Sequence, residues 1–397
     1  MPTTGRVLFA IRKLDSSGGP THLMDLAEGL MERGWQVGVA SQGKVGQHSH
    51  GPEWFEARGV PHFQVPYPYS DLGPGDLLRR SAAAARAFEA AVREFRPSVV
   101  HVHYRITSPF ARIAQLRHDF ALVSTLHFAP VPAGLPYRAV SFWGDRAIGI
   151  SRETREYLID ALRVPPERVR LVYNGIDDAH FRPPTDAERR DARERLGLAG
   201  DERVVSLLGR LEPIKGHDLV IRALAELRGQ GLDVVALFAG DGRGGPDIVR
   251  LAVECGVHDL VRILGYVDSR TVYWASDASL LPSRQEGFGL VTAEAMLCGV
   301  VPIRTPSAGA YDQIEDGADG FIVPFDDPSA LAARIGAVLR DPALRRRMGD
   351  AALASARGKF TRGQMVEATE RVYLEALARR HRHRRVAPPA LAGAAAG

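Results

Sequence analysis

Short apolar runs alternate with stretches of helical periodicity along the whole chain. Val7 to Ile11 is the first run; the turn-rich Asp15-Ser16-Ser17-Gly18-Gly19-Pro20 follows, and then a pattern that predicts a helix from about Thr21 to Arg33, closed by Gly34. Trp35 to Ala40, Val60 to Val65, Ser98 to His103, Ala121 to His127, Ala147 to Ser151 and Val169 to Asn174 read as strands, with helical patterns such as Leu77 to Phe95 between them. A polar, charge-dense stretch from about Ala179 to Gly200, containing Pro183-Pro184, interrupts the beat and reads as a linker. The beat resumes at Val204 to Gly209, Asp233 to Ala239, Val261 to Tyr266, Ala278 to Leu281, Val301 to Arg304 and Phe321 to Val323.

Strands that are apolar throughout and alternate with helices belong to parallel sheets covered on both faces. The pattern therefore predicts an α/β protein of two doubly wound, Rossmann-like domains in tandem, placed at residues 1–178 and 179–362. A last helical pattern, Gly363 to Arg380, follows the second sheet and is expected to pack back across the first domain. Residues 386–397, rich in Pro and Ala, read as a disordered tail. Ligands of open sheets bind beyond the carboxyl ends of the strands, so the expected site is a cleft between two facing sheets.

Composition narrows the class. The 397 residues are 45% hydrophobic and 25% charged, the balance of a soluble globular protein with two cores. No run of about 18 apolar residues is present and no charged, cleavable leader opens the chain, so the expected location is the cytoplasm. The two cysteines, Cys255 and Cys298, both lie in apolar stretches and read as small core hydrophobes. Lys plus Arg number 21 against 16 Asp plus Glu over residues 1–175, and 30 against 31 over the rest. A basic first half suits an anionic acceptor or a membrane surface, and equally an ordinary solvated face; nothing points to nucleic acid. Only four lysines occur, Lys13, Lys44, Lys215 and Lys359, in a chain that otherwise uses arginine.

Two stretches carry chemistry. In Glu286-Gly287-Phe288-Gly289-Leu290-Val291-Thr292-Ala293-Glu294, two glycines let backbone N–H groups approach a ligand where a helix begins, and its positive end faces any anion there. Glu286 falls in the loop and Glu294 two turns down the helix; either carboxylate can clasp two neighbouring hydroxyls of a sugar or ribose. An ordinary amphipathic helix with two surface glutamates would give the same letters. In Gly209-Arg210-Leu211-Glu212-Pro213-Ile214-Lys215-Gly216, a guanidinium and an ammonium five residues apart can meet two phosphates, although loop cations are more often merely solvated. A nucleotide sugar offers both the diols and the diphosphate.

With these motifs the chain resembles glycosyltransferase family 4, retaining enzymes of the GT-B fold. The resemblance runs over about residues 5 to 375: the Gly18-Gly19 loop, Asn174-Gly175-Ile176-Asp177, Gly209-Arg210 with Lys215-Gly216, Ala239-Gly240-Asp241-Gly242, Gly265-Tyr266-Val267 and the two glutamates eight residues apart. It implies that Glu294 binds the ribose and Glu286 the donor sugar, that Arg210 and Lys215 hold the diphosphate, and that Gly287, Phe288, Gly289 and Leu290 help through their backbone. It further implies donor contacts from Gly18, Gly19, Gly209, Gly240, Gly265, Tyr266 and Val267, and a place for His127 on the donor-sugar and acceptor side. Asp312 stands where relatives often carry glutamate.

The implied reaction is transfer with retention from a nucleoside diphosphate sugar, UDP-sugar favoured, to a hydroxyl of a small acceptor. Protein cations would stabilise the leaving diphosphate, so no cofactor and no metal is expected. An antibiotic scaffold of the aminoglycoside kind and a cell-envelope glycan or glycolipid are both open as acceptors. A non-hydrolysing nucleotide-sugar epimerase and a non-catalytic nucleotide-sugar-binding subunit are the rival functions. His101-x-His103 lacks the further ligands of a metal hydrolase, and Gly240 to Gly245 lacks the spacing of a dinucleotide loop. Tyr67, Tyr69, Tyr137, Phe142 and Trp143 are loop aromatics that would stack on an acceptor ring or plug a core edge; His48 and His50 read as chemically silent.

Overall fold

The computed structural model describes residues 5–14, 18–43, 51–68 and 73–386. The Asp15-Ser16-Ser17 turn, Lys44, His48, His50, Tyr69 and the tail from 387 lie outside the described residues. Two compact units divide the chain: Met1–Gly149, Arg155–Val172 and Met365–Gly397 form the first, Ile150–Thr154 and Tyr173–Gln364 the second.

The first unit holds β1 (Arg6–Ala10), β2 (Gln36–Ser41), β3 (His62–Gln64), β4 (Val99–Val102), β5 (Ala121–Leu126), β6 (Arg146–Gly149) and β7 (Val169–Leu171). All pair in parallel, in the order β3-β2-β1-β4-β5-β6-β7. Side chains alternate across a strand, so Val7 and Phe9 join one core while Leu8 and Ala10 join another on the opposite face. Helix Gly18–Glu32 covers the first face through Leu23, Leu26, Ala27 and Leu30. It starts three residues before the expected Thr21, because Pro20 falls in the first turn, where a missing N–H costs nothing. Helix Pro74–Phe95 covers the second face through Ala84, Phe88, Ala91 and Val92.

The last helix, Arg362–Val386, adds Met365, Val366, Val372, Tyr373 and Ala376 to the first face. Polar contacts fix it there: Trp35 Nε1 donates to Glu370 Oε1 at 2.8 Å, and Glu375 Oε2 accepts from Arg146 Nε at 2.9 Å and pairs with Arg170 Nη2 at 2.7 Å.

The second unit holds β8 (Val204–Leu208), β9 (Val235–Ala239), β10 (Val261–Gly265), β11 (Ala278–Leu281), β12 (Val301–Arg304) and β13 (Phe321–Ile322), all parallel, in the order β10-β9-β8-β11-β12-β13. Counted from its own first strand, the first sheet runs 3-2-1-4-5-6-7 and the second 3-2-1-4-5-6. The connections change direction between β1 and β4 in one unit and between β8 and β11 in the other, and a crevice at the carboxyl edge of the sheet results at each such point.

The Ala179–Gly200 stretch is no linker. Helix Asp186–Arg195 occupies it, opened by a reciprocal cap in which Thr185 and Glu188 each bond the other's backbone N–H. Two of its four arginines work inward, while Arg190 and Arg195 face solvent. Arg189 donates to the carbonyls of Trp274 and Ser276, and the mostly buried Arg193 donates to that of Ala275 at 3.0 Å. Cys298 lies in the adjoining core and Cys255 packs at the edge of the other core of this unit; both are unbridged. Among the described residues no helix is long and apolar enough to cross a membrane.

Candidate functional site

On the second unit the groups gather where the sheet order reverses. Lys215 closes the short turn Pro213–Lys215 after β8, and Glu286 lies in the loop after β11. Gly216 brings these loops together: it holds φ 75°, and a Cβ there would lie 2.3 Å from the carbonyl oxygen of Pro282. Lys215 Nζ donates to Glu286 Oε1 at 2.6 Å, the two side chains being only 18% and 11% exposed. An ammonium has three donors, so one bond to Glu286 leaves capacity for phosphate oxygens.

Behind the pair, Gly289 at φ 81° opens helix Leu290–Leu297 with no side chain capping its start. The loop before it is held by Arg304, fully buried at the end of β12. Its Nη1 donates to Phe288 O at 3.0 Å and to the Gln313 side chain; its Nη2 donates to Ser307 Oγ at 3.0 Å and Ala308 O at 3.1 Å. Gln313 Nε2 in turn donates to Gly289 O at 3.1 Å. Burial lowers the Arg304 pKa to about 10, against the pull of Glu286, Glu153 and Asp312, so it stays charged at neutral pH. Phe288 is buried against Tyr173 and Phe360.

Glu294 lies within the same helix, its Oε2 accepting from Tyr273 Oη at 2.8 Å. Burial pushes its carboxyl up to about 7, so it is half ionised near neutrality. Arg210 is placed differently: its side chain is 66% exposed and bonds Glu212 at 2.6 Å, and no described contact joins it to Lys215 or Glu286. The glycines of the neighbouring loops pack backbone on backbone. A Cβ on Gly240 would lie 2.2 Å from Gly209 O; Gly209 N donates to Ala239 O at 2.9 Å, and Gly240 N to Gly265 O at 2.8 Å. Gly265 holds φ 66°, Tyr266 is half exposed and Val267 packs at the edge of the core around Tyr273. Asp312 is already occupied by protein: it accepts from Tyr173 Oη at 2.9 Å and Arg152 N at 2.8 Å.

On the first unit, His127 follows β5 and its Nε2 lies 2.9 Å from His103 Nδ1, the two rings stacked at 20°. His22, from helix Gly18–Glu32, stands edge-on to both. A ring nitrogen of each comes within 4.8 Å of the others. Burial lowers all three pKa values, His22 to about 4, and neighbouring imidazoles lower those of His103 and His127 further, so the rings are neutral. Three neutral imidazoles form a metal-like set, yet His103 and His127 already use one nitrogen each on one another. His101 is engaged elsewhere, with Tyr373 Oη at 2.8 Å and Thr125 Oγ1 at 2.7 Å. Gly18 begins the helix, and a Cβ on Gly19 would lie 2.3 Å from Tyr104 Oη. Tyr67 is a core residue against Phe110 and offers no stacking face, while Tyr137 is exposed.

Known proteins resemble this chain in sequence and fold. Residues 16–180 match the model described as Glycosyltransferase Family 4, and residues 188–354 the one described as Glycosyl transferases group 1. A D-inositol 3-phosphate glycosyltransferase of Xylanimonas cellulosilytica is 31% identical over 92% of this chain and 93% of its own length. The chain belongs to glycosyltransferase family 4. Another member with the same name, from Acidothermus cellulolyticus, is 32% identical over 92% of this chain and 87% of its own. Among solved structures, a glycosyltransferase of Rickettsia africae covers 94% of this chain and 99% of its own with a TM-score of 0.82 at 18% identity. The Anabaena protein HepE in complex with UDP covers 92% and 98%, with a TM-score of 0.79 at 22% identity. The fold is therefore GT-B, and the family 4 chain is a glycosyltransferase.

Of the residues singled out in the sequence, the structure brings Lys215 to Glu286, in the loop that leads through Gly287–Leu290 to Glu294, and leaves Arg210 with Glu212. Arg304 and His22 carry no signal in the sequence: one looks like a strand's polar end, and the other is far along the chain from its partners His103 and His127.

Proposed function

We propose that the chain transfers a sugar, with retention and without a metal, from a nucleoside diphosphate donor, a UDP-sugar first, to a hydroxyl of a small polyol. The observation that carries this reading is the Lys215–Glu286 pair, held beside an uncapped helix start at the point where the second sheet reverses. The diphosphate takes bonds from Lys215 and from the Gly287–Leu290 backbone, Glu286 turns to a sugar hydroxyl, and Glu294 accepts from the ribose hydroxyls. Arg210 leaves Glu212 for the diphosphate, a small cost because an exposed ion pair is worth at most about 1 kcal/mol.

As the anomeric bond breaks, negative charge grows on the departing phosphate oxygen, where Lys215 and Arg210 stabilise it more than in the ground state. That same oxygen takes the proton of the attacking acceptor hydroxyl, so the new bond forms on the face the old one leaves and configuration is kept. His127, neutral and joined to His103, offers a sugar hydroxyl a partner without adding charge. The relatives named for D-inositol 3-phosphate favour a phosphorylated cyclitol as acceptor over an antibiotic scaffold.

Incubation with UDP-sugars and D-inositol 3-phosphate in the presence of a chelator tests the proposal. UDP release that depends on acceptor, with an anomeric coupling constant matching the donor's, is the expected result. An inverted product, or turnover only when magnesium is restored, overturns it; sugar interconversion without acceptor would instead mark an epimerase.

A further inference from the structure

At the opposite edge of the first sheet lies a hollow that the reaction above does not use. It encloses about 720 Å³ at the amino-terminal ends of β5, β6 and β7. Asp145 directly precedes β6 and Arg168 directly precedes β7, whereas His103 and His127 follow the carboxyl ends of β4 and β5. Six guanidinium groups line it: Arg112, Arg138, Arg163, Arg168, Arg379 and Arg380.

Little in the protein balances them. Arg380 pairs with Asp119 at 2.9 Å, and Arg112 donates to the neutral Gln115 at 2.9 Å. Among the described residues, none of Arg138, Arg163, Arg168 and Arg379 has a carboxylate within ion-pair distance. The one carboxylate in the wall, Asp145, is taken by Leu122 N at 2.8 Å and Gln115 Nε2 at 3.2 Å. Arg168 keeps a buried Nε with no partner, and burial followed by the nearby Arg379 lowers its pKa, against the weaker pull of Asp145 and Glu167. Arg163 sits at φ 57°, an unfavourable conformation for a residue with a side chain.

Crowded cations with an orphaned donor are relieved by an anion, and guanidinium forks match the oxygens of a phosphate two at a time. The remaining wall is mostly apolar, with Phe142, Trp143, Leu162 and Pro165 beside Gln115 and Ser141, and Leu135 at its rim is 80% exposed. The ligand thus carries phosphate on a body with apolar surface. We propose that this hollow is a second phosphate-binding site, separate from the donor site on the second unit, that takes a phosphate ester. Such an ester is either a small soluble molecule or the headgroup of an anionic lipid.

Calorimetric titration of the full chain with pyrophosphate, and co-sedimentation with phosphatidylglycerol against phosphatidylcholine vesicles, separate these sources. The test variant is R138A combined with R163G, because glycine adopts the Arg163 conformation freely and circular dichroism can verify the fold. In the soluble case pyrophosphate fills two sites; the double variant weakens one by at least about tenfold and K215A the other, a difference of about 1.4 kcal/mol. In the lipid case phosphatidylglycerol vesicles retain the native chain and lose the double variant, and K215A has no effect. Either result supports the site. Binding that K215A alone abolishes, or binding equal in the native chain and the double variant, overturns it, and either outcome leaves the donor reading standing.

Discussion

Lys215 neutralises a mostly buried Glu286; under the proposed reading it would also face the departing phosphate during transfer. Removing it therefore has two separable effects. K215A leaves a buried carboxylate unpaired, and we expect a stability loss of about 1–3 kcal/mol in urea titrations. Turnover should fall by about 10²–10³, as when one charge-stabilising donor is lost. K215A combined with E286Q should recover most of the stability and none of the turnover; recovery of both would remove the lysine from the chemistry. Glu294 makes a second prediction at this scale. Its folded pKa of about 7 lies above the ordinary 4.5, so the folded chain holds this proton longer than the unfolded one. Its contribution is most favourable below pH 4.5, declines as pH rises and levels off above about 7. E294Q should thus raise Tm at pH 8, leave it nearly unchanged at pH 4.5, and weaken nucleotide binding at both; a Tm gain of the same size at both pH values would contradict the buried ionisation.

Among elements, the helix Asp186–Arg195 and the loop before helix Leu290–Leu297 show where a sequence speaks and where it is silent. The first was legible in principle: Thr185-x-x-Glu188 is a helix-start signature, overridden in the reading by charge density and by Pro183-Pro184. T185A should cost about 1 kcal/mol in thermal melts. The central strands were legible because burial on both faces leaves an unbroken apolar run, as in Val204–Leu208. Edges were less so: the strand within Val60 to Val65 spans only His62–Gln64, and that within Val169 to Asn174 only Val169–Leu171, since apolar letters run on past the regular pairing. The two glutamates and the lysine were visible as a motif. Their geometry depends on Arg304, which no spacing rule announces because its partners are backbone carbonyls and the unremarkable side chains of Ser307 and Gln313. R304M removes those bonds while filling the space, so we expect donor KM to rise well before kcat falls, with the pair Lys215–Glu286 intact. A variant with unchanged donor KM would mean that the loop is held by Phe288 packing alone.

For the molecule as a whole, a ligand that binds only the folded chain raises its melting temperature by mass action, about 2.7 kcal/mol at a hundredfold excess over Kd. UDP should protect, magnesium should add little, and K215A should erase most of the protection; protection of K215A equal to the native chain would detach the diphosphate from that residue. Both sheets were anticipated in number and type from alternation alone, whereas the assignment of Ile150–Thr154 to the second unit was not, because five residues carry no periodicity.

The path of the chain has one further consequence. The core of the first unit needs Met365, Val366, Val372, Tyr373 and Ala376, which leave the ribosome after every strand of the second unit has been made. During synthesis the later-encoded unit is thus complete first, and the opening strands wait with one apolar face only partly covered, by helix Gly18–Glu32, until the final helix arrives. A messenger truncated just before codon 365 would yield a product with a finished second half and a first one whose core is only partly covered, a substrate for chaperones and proteases.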